Sequence, residues 1–299
     1  MNPYIQSLRL RTLPLSVSGI LLGSGLAVQD ECTMYGAGMR SWAIFCLAIC
    51  TTLCLQILSN LCNELGDAQK GTDADQHGRE AYGLQAGTLT IAAMKRMIGG
   101  FIALSVVFGS ALVGTAFLGQ PSGIYPILIF LALGLAAIIG AMTYTLGKHS
   151  YGYRGLGDLS VFLFFGLLST CGGYYLLTRT LSWEVVACGA AIGLPCVGVL
   201  NLNNLRDMPN DRKHGKRTFA GMLGQTAGRK YHTFLLVGCL AIFTLYGHYW
   251  TLCITPIWAW HLYKVLSYDA AQSREGYGLD KQMPVLMFST LIVAILALF

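Results

Sequence analysis

The sequence predicts an all-α membrane protein of nine spanning helices, and three observations lead to that fold class. Of the 299 residues, 54% are hydrophobic and 11% are charged, whereas about 25% of the residues of a soluble chain are charged. Apolar windows of membrane-spanning length recur along the whole chain, and the basic residues are concentrated in alternate segments between them. The 36 glycines suit close helix packing in lipid.

The spanning helices are predicted from apolar windows of about 20 residues, the length that crosses the hydrocarbon core. The seventh and eighth windows are short and meet at residues 247–249. The nine windows are 12–29, 41–62, 97–118, 124–146, 157–178, 183–205, 231–247, 249–267 and 283–299.

The distribution of basic residues predicts a cytoplasmic N-terminus. With that orientation, 18 of the 20 Lys and Arg residues lie in inner segments, and only Arg40 and Arg179 lie outside. The net charge of +6 is therefore explained by membrane topology, and no nucleic-acid partner is expected.

Two polar clusters stand where long apolar windows end, at residues 60–75 and 201–218. They follow the second and sixth windows, so the predicted topology places both on the inner side. Both begin with a similar phrase, NLCN at 60–63 and NLNN at 201–204. This similarity suggests two four-helix halves, about 1–146 and 147–267, plus the ninth helix, within one domain over 1–299.

Helical spacing aligns the polar side chains of each cluster, because residues three or four apart share a face. Gly71 can turn the chain so that Asp73 and Asp75 approach the same place. Pro209 disfavours helical backbone at Met208, so the second cluster is not expected to be a simple helical row. The aligned residues are Gln56, Asn60, Asn63 and Asp67 in the first cluster and Asn203, Asp207 and Asp211 in the second.

The donor types in these clusters predict a magnesium site. Carboxylate and amide oxygens without Cys or His suit Mg²⁺, or Mn²⁺, rather than zinc. Two ions, one at each cluster, would hold a diphosphate between them, and neighbouring cations would balance its remaining charge. The flanking cations are Lys70, Arg79, Arg206, Arg212, Lys216 and Arg217.

This arrangement predicts chemistry on a diphosphate ester. A diphosphate held by cations is a good leaving group. If the organic half is an allylic prenyl chain, its departure leaves a carbocation that an apolar cavity protects from water. The rival class is a transporter, which typically places ionisable groups near the bilayer midplane. Here Asp and Glu are absent from the middle of every window.

The two clusters resemble the Asp-rich motifs of UbiA-type intramembrane prenyltransferases. NELGD at 63–67 followed by GTD at 71–73 is similar to the first motif of that superfamily, and NNLRD at 203–207 with DR at 211–212 to the second. The resemblance implies nine helices around a central cavity. LRTLPL at 10–15, GYRGLGD at 152–158 and KRT at 216–218 are similar to the branch that prenylates 1,4-dihydroxy-2-naphthoate in menaquinone biosynthesis.

The resemblance implies transfer of a polyprenyl chain from its diphosphate to the naphthoate ring, with loss of the carboxylate, yielding demethylmenaquinone. Other aromatic acceptors stay open, namely 4-hydroxybenzoate, homogentisate and tetrapyrrole precursors. Asp158 and Asp73 are both candidate bases for the ring proton. The expected setting is the bacterial inner membrane, with the active site on the cytoplasmic side and no obligate protein partner.

Site residues are carried over by position. Asn63, Asp67, Asp73, Asp207 and Asp211 are the implied metal ligands, and the four aspartates among them are the implied catalytic residues. The implied diphosphate partners are Lys70, Arg79, Arg206, Arg212 and Lys216. The candidates for the aromatic substrate are Arg11, Tyr144, Lys148, Arg154, Asp158 and Asn204.

Three segments need separate expectations. Glu64 stands where the family commonly has Asp, and we expect it near the site but not as a necessary ligand. Residues 78–83 are one residue longer than the family pattern, which leaves the identity of the phosphate-binding Arg open. The segment before the ninth helix, which holds Asp269, Asp280 and Lys281, is interpreted as a solvated link.

Overall fold

The computed structural model describes residues 2–30, 38–72, 83–119, 123–268 and 277–299. These ranges contain no β-strand, and an isolated bridge pairs Arg154 with Arg217. The all-α prediction is confirmed. The helices are α1 (Pro3–Ser7), α2 (Leu13–Gln29), α3 (Met39–Lys70), α4 (Ile91–Phe117), α5 (Tyr125–Thr143), α6 (Gly157–Val161), α7 (Ser169–Thr178), α8 (Trp183–Lys213), α9 (Phe219–Leu223), α10 (Gln225–Leu245), α11 (Thr255–Leu266) and α12 (Tyr277–Leu296).

Shorter helical turns complete the backbone. A π-helical stretch, Phe162–Leu168, joins α6 and α7 into one continuous rod. The 3₁₀ turns are Leu10–Thr12, Tyr151–Tyr153 and Tyr249–Ile254.

Each of the nine predicted windows overlaps helical backbone in the described ranges. By length and composition, seven helical segments there could cross a membrane. The two windows outside that set correspond to α10 and to the 3₁₀ turn followed by α11. Helix α11 itself has only 12 residues, too few to span a bilayer alone.

Helices α3 and α8 extend beyond their apolar windows, so most of each polar cluster is helical. Helix α3 continues to Lys70 and ends at Gly71, whose φ of +71° fits a left-handed helix cap. Helix α8 continues through Pro209 to Lys213, so the expected break at Met208 does not occur. The Asn210 amide beyond the proline donates to the Thr72 carbonyl at 2.6 Å and ties this end of α8 to the end of α3.

Helix α8 is the central element of the bundle. It packs against α10, α12 and the π-helical stretch, and Ile192, Leu202 and Leu205 on it are fully or almost fully buried. Helix α5 lies at the periphery, where it packs on α3 and α4 and has no buried residue. A hollow lined from one side by α5 and from the other by the α6–α7 rod lies inside the bundle.

Candidate active site

A cavity of about 750 Å³ lies where the C-terminal ends of α3 and α8 meet. Asn63 and Asp67 of the first cluster line it, and so do Asn203 and Asp207 of the second. Gln56 and Asn60 complete the α3 row, as the helical spacing predicts. The two clusters therefore face one chamber.

Asp67 is held in place by the turn that precedes α6. The Tyr153 hydroxyl donates to Asp67 Oδ1 at 2.7 Å and lies 2.7 Å from Thr72 Oγ1. Burial and the neighbouring Asp67 carboxylate raise the pKa of Tyr153, so the phenol keeps its proton as a donor. Asn63 Oδ1 accepts a hydrogen bond from Thr145 Oγ1. These bonds fix the orientation of the first cluster.

Asp207 forms a two-bonded ion pair with its neighbour in the sequence. Arg206 donates through Nε to Asp207 Oδ1 at 2.7 Å and through Nη2 to Asp207 Oδ2 at 2.6 Å. The same guanidinium reaches Asn203 Oδ1 at 2.6 Å and Asp280 Oδ1 of α12 at 2.6 Å. Arg206 thus connects the second cluster to a helix more than 70 residues away in the sequence.

Lys216 connects the two clusters electrostatically. Its Nζ lies 3.4 Å from Asp211 Oδ1 and 5.3 Å from the centre of the Tyr153 ring. Burial acts to lower the pKa of Lys216, but the carboxylates of Asp211, Asp67 and Asp207 outweigh it and raise this pKa. The Lys216 ammonium is therefore positively charged at neutral pH, and it lines the cavity.

The donors around this chamber fit a hard divalent cation. Both carboxylate oxygens of Asp211 are buried, and the Lys216 ammonium, 3.4 Å from Oδ1, supplies the cation that a buried carboxylate needs. No group of three or more His, Cys, Asp or Glu side chains converges within the described residues. Asn63, Asp67, Asn203 and Asp207 present carboxylate and amide oxygens to the chamber, the donor types that suit Mg²⁺.

Some of the remaining predicted residues line the cavity, and others do not. Arg11, Tyr144, Asn204 and Arg206 line the cavity, whereas Asp211 lies behind it as the partner of Lys216. Asp73 and Arg79 lie outside the described residues.

Five further predicted residues are absent from the described wall of the chamber. Lys70, Lys148 and Arg154 line a second, shallower pocket together with Arg217. There the Lys70 ammonium donates to the Thr145 carbonyl at 2.7 Å and lies 3.7 Å from the centre of the Tyr153 ring. The other two pair elsewhere: Arg212 donates to the Gly221 carbonyl at 3.3 Å, and Asp158 accepts from the Tyr231 hydroxyl at 3.1 Å.

Glu64 points away from the chamber and joins three segments of the chain. It is fully buried and accepts from Ser7 Oγ at 3.2 Å and from the Leu84 backbone N–H at 2.8 Å. These contacts are made outside the cavity wall, and the expectation that Glu64 is not a necessary ligand stays a prediction. They give it a structural role in seating α1 and the start of the segment that leads to α4.

Sequence reasoning missed three charged residues of the cavity wall. Arg9, in left-handed backbone with φ of 51°, lines the cavity two residues before Arg11. Asp280 and Lys281 also line it, so the interpretation of their segment as a solvated link is wrong for these two. A usable signal existed, because both precede the last apolar window on the same predicted side as the polar clusters.

The rest of the cavity wall is mainly apolar, with a few hydroxyl side chains such as Thr51 and Ser169. Leu133 and Gly134 of α5 line it from one side, and Phe165 and Leu168 of the π-helical stretch from the other. A chamber with a charged part and a mainly apolar wall elsewhere suits a substrate with an anionic head and a hydrocarbon tail.

Known proteins share both the sequence and the fold. The model of the UbiA prenyltransferase family matches residues 27–279. The 1,4-dihydroxy-2-naphthoate octaprenyltransferase of Escherichia coli is 40% identical over 266 residues, which cover 86% of this chain and 79% of that protein. The Haemophilus influenzae protein of the same name is 38% identical over 238 residues, covering 79% and 74%.

Solved structures show the same fold at low sequence identity. A UbiA homologue from Archaeoglobus fulgidus, bound to GPP and Mg²⁺, superposes with a TM-score of 0.63 at 14% identity, covering 98% of this chain and 99% of its own. The apo UbiA homologue from Aeropyrum pernix gives 0.56 at 17%, covering 97% and 98%. The chain therefore belongs to the UbiA prenyltransferase family.

Proposed function

We propose that this prenyltransferase moves a polyprenyl chain from polyprenyl diphosphate to 1,4-dihydroxy-2-naphthoate, with loss of the ring carboxylate. The observation that supports it most is the single chamber that joins both polar clusters to an apolar channel. The names of the two bacterial relatives support the choice of acceptor.

In this proposal Asp67 and Asp207, which line the chamber, hold the divalent cations, with Asn63 beside them. Asp211, which pairs with Lys216, and Asp73, outside the described residues, stay sequence-based candidates. Two Mg²⁺ ions are expected, and Mn²⁺ could replace them. When bound, Mg²⁺ would neutralise the charge that develops on the departing diphosphate. The Mg²⁺ and GPP in the Archaeoglobus homologue support this assignment.

The diphosphate is assigned to Arg206 and Lys216, the two cations of the predicted set that line the chamber among the described residues. A guanidinium and an ammonium provide charge-assisted hydrogen bonds to phosphate oxygens. Lys70 and Arg212 point to other partners in this structure and are assigned no direct contact. Arg79 stays a sequence-based candidate.

The aromatic acid is assigned to Arg11, Tyr144 and Asn204, which line the chamber. Arg11, together with Arg9, supplies positive charge for the carboxylate of the acid. Lys148 and Arg154 open to the second pocket. Asp158 accepts from the Tyr231 hydroxyl and Asp73 lies outside the described residues, so both stay candidates for the ring-proton base.

The reaction breaks the bond between the allylic carbon and the diphosphate oxygen, and the electron pair leaves with the diphosphate. The ring then forms a carbon–carbon bond to the allylic cation, the proton on that ring carbon passes to the base, and the carbon that releases CO₂ takes up a proton in its place. The apolar walls, including Phe165 and Leu168, exclude water from the cation. Arg206 and Lys216 retain the diphosphate while the new bond forms.

We further propose that α10 and α11 complete nine spans in a single domain with a cytoplasmic N-terminus. The distribution of basic residues supports this orientation, and it places the chamber at the inner surface of a bacterial plasma membrane.

Acceptor choice is tested with purified protein, geranylgeranyl diphosphate and Mg²⁺. We expect 1,4-dihydroxy-2-naphthoate to be prenylated with loss of CO₂, and at a rate about ten-fold or more above that of 4-hydroxybenzoate or homogentisate. Mass spectrometry of the products is the readout. A naphthoate product that retains the carboxylate, or faster turnover of another acid, would contradict the assignment.

If the prenyl chain lies along the apolar part of the cavity, a bulky side chain there should limit the length of the donor that can bind. Gly134 lines the channel with open space where a side chain would start, and it is ten residues, about 15 Å of helix, from Tyr144. Gly134→Phe should retain use of geranyl diphosphate but reduce use of octaprenyl-length donors about ten-fold or more, because the ring blocks the channel.

The readout for Gly134→Phe is kcat/KM for both donor lengths. Gly99→Phe is the control, because Gly99 on the exposed side of α4 also has open space and does not line the cavity. Equal loss with short and long donors would place the prenyl chain elsewhere.

A further inference from the structure

The Arg206 guanidinium is an almost buried cation that two acids from different helices share. Its side chain is 7% exposed, against 12% for Asp207 of α8 and 31% for Asp280 of α12. Both acids approach the guanidinium to 2.6 Å. Arg206 donates to Asp207 through Nε and Nη2, and to Asp280 through Nη1.

This pairing competes with the proposed role of Asp207. Both Asp207 oxygens accept hydrogen bonds from Arg206. A divalent cation that binds Asp207 would compete with Arg206 for the lone pairs of these oxygens, and its positive charge would repel the guanidinium. A nearly buried guanidinium without an anion is strongly unfavourable. Cation binding at Asp207 therefore needs a second anion that stays with Arg206.

The geometry points to Asp280 as that anion, and we propose that Asp280 is a positioning residue that acts through Arg206. It keeps Arg206 neutralised when Asp207 binds the cation, so that the guanidinium remains aimed into the chamber. The proposal rests on the proposed function, specifically on cation binding by Asp207. Its position suits the role, because Asp280 and Met283 of α12 both line the chamber and both contact Arg206 Nη1.

The net charge of Arg206, Asp207 and Asp280 predicts different effects on the affinities for the cation and for the diphosphate donor. Arg206, Asp207 and Asp280 together carry one negative charge, which attracts a divalent cation. Asp280→Asn makes the trio neutral and leaves Arg206 with Asp207 as its anion. Affinity for the cation should then fall, whereas affinity for the diphosphate donor, itself an anion, should not fall with it.

The test compares Asp280→Asn with Asp280→Glu, which keeps the charge. The first readout is Mn²⁺ binding to purified protein without substrates, followed by the EPR signal of free Mn²⁺. We expect Asp280→Asn to weaken Mn²⁺ binding about five-fold, as removal of a nearby, partly exposed charge implies, and Asp280→Glu to recover most of it. Glu184→Gln, at the far end of α8 with its side chain 54% exposed, should bind Mn²⁺ like the wild type.

The second readout separates positioning from a packing defect. In the transfer assay, Asp280→Asn should raise the half-saturating Mg²⁺ concentration by a similar factor, while the donor KM at saturating Mg²⁺ stays within about two-fold. In an Arg206→Gln background, Asp280→Asn should weaken Mn²⁺ binding by less than it does in the wild type, because only the direct attraction between Asp280 and the cation is left.

Three outcomes would overturn the inference. They are unchanged Mn²⁺ binding in Asp280→Asn, a donor KM that rises as much as the Mg²⁺ requirement, and an undiminished effect in the Arg206→Gln background. Asp207→Asn identifies the cause of a failure. If it binds Mn²⁺ like the wild type, the cation site of the proposed function fails; if it loses binding while Asp280→Asn does not, only this inference fails.

Discussion

Asp67→Asn or Asp207→Asn should lower prenyl transfer about a thousand-fold, the upper range for removal of one preorganised electrostatic group. Each substitution keeps the size of the side chain but removes a carboxylate that faces the shared chamber. In Asp67→Asn, the new amide oxygen can still accept from the Tyr153 hydroxyl that now contacts Asp67, so the loss would report charge rather than position.

The measurement is transfer of radiolabelled prenyl chain by purified protein over a range of Mg²⁺ concentrations. Added Mg²⁺ should not restore the rate, because the missing charge is part of the proposed cation site. Glu184→Gln removes a carboxylate at the opposite end of α8 and should remain within about two-fold of wild type. Variants at Asp67 and Asp207 with wild-type rates would remove the cation proposal altogether.

Gly23→Ala should destabilise the protein by about 3 kcal/mol, a large effect for a single added methyl group. A Cβ at Gly23 of α2 would lie 2.0 Å from the carbonyl oxygen of Thr170 and 2.8 Å from its carbonyl carbon. Backbone atoms cannot rotate out of the way, so α2 and α7 would have to separate. The site would be distorted as well, because both helices contribute to the cavity wall.

Thermal unfolding in detergent measures this effect, with Gly99→Ala as the matched control. Gly99 is also a helix glycine, but a Cβ there meets nothing within 4 Å. Its replacement by a better helix former should leave stability unchanged or slightly higher. Equal melting temperatures for the two variants would contradict the close approach of α2 and α7.

The polar clusters illustrate how far local sequence reaches. The row from Gln56 to Asp67 was predictable, because helical spacing alone places its members on one face and the oxygen donors alone indicate a hard cation. The continuation of α8 through Pro209 was not predictable. It depends on contacts of the helix end, such as the bond from Asn210 to Thr72, just beyond the end of α3.

For the basic residues too, the sequence predicts which ones are near the motifs, but tertiary contacts decide where their side chains point. Lys70, Arg212 and Lys216 each lie within five residues of a motif aspartate, yet of these only Lys216 is among the described residues that line the chamber. Lys70 is drawn to the Thr145 carbonyl and the Tyr153 ring, and Arg212 to Gly221. Which way a long side chain turns depends on partners supplied by other segments.

The sequence alone determined the helical membrane fold class, the family and the two facing clusters, because apolar length, charge placement and donor type are properties of short stretches of chain. Only the tertiary structure decided that Glu64 is a structural anchor, that Asp280 lines the cavity and that Lys70, Lys148 and Arg154 line a separate pocket. Those outcomes depend on the docking of helices that are distant in sequence, and no local pattern encodes that docking.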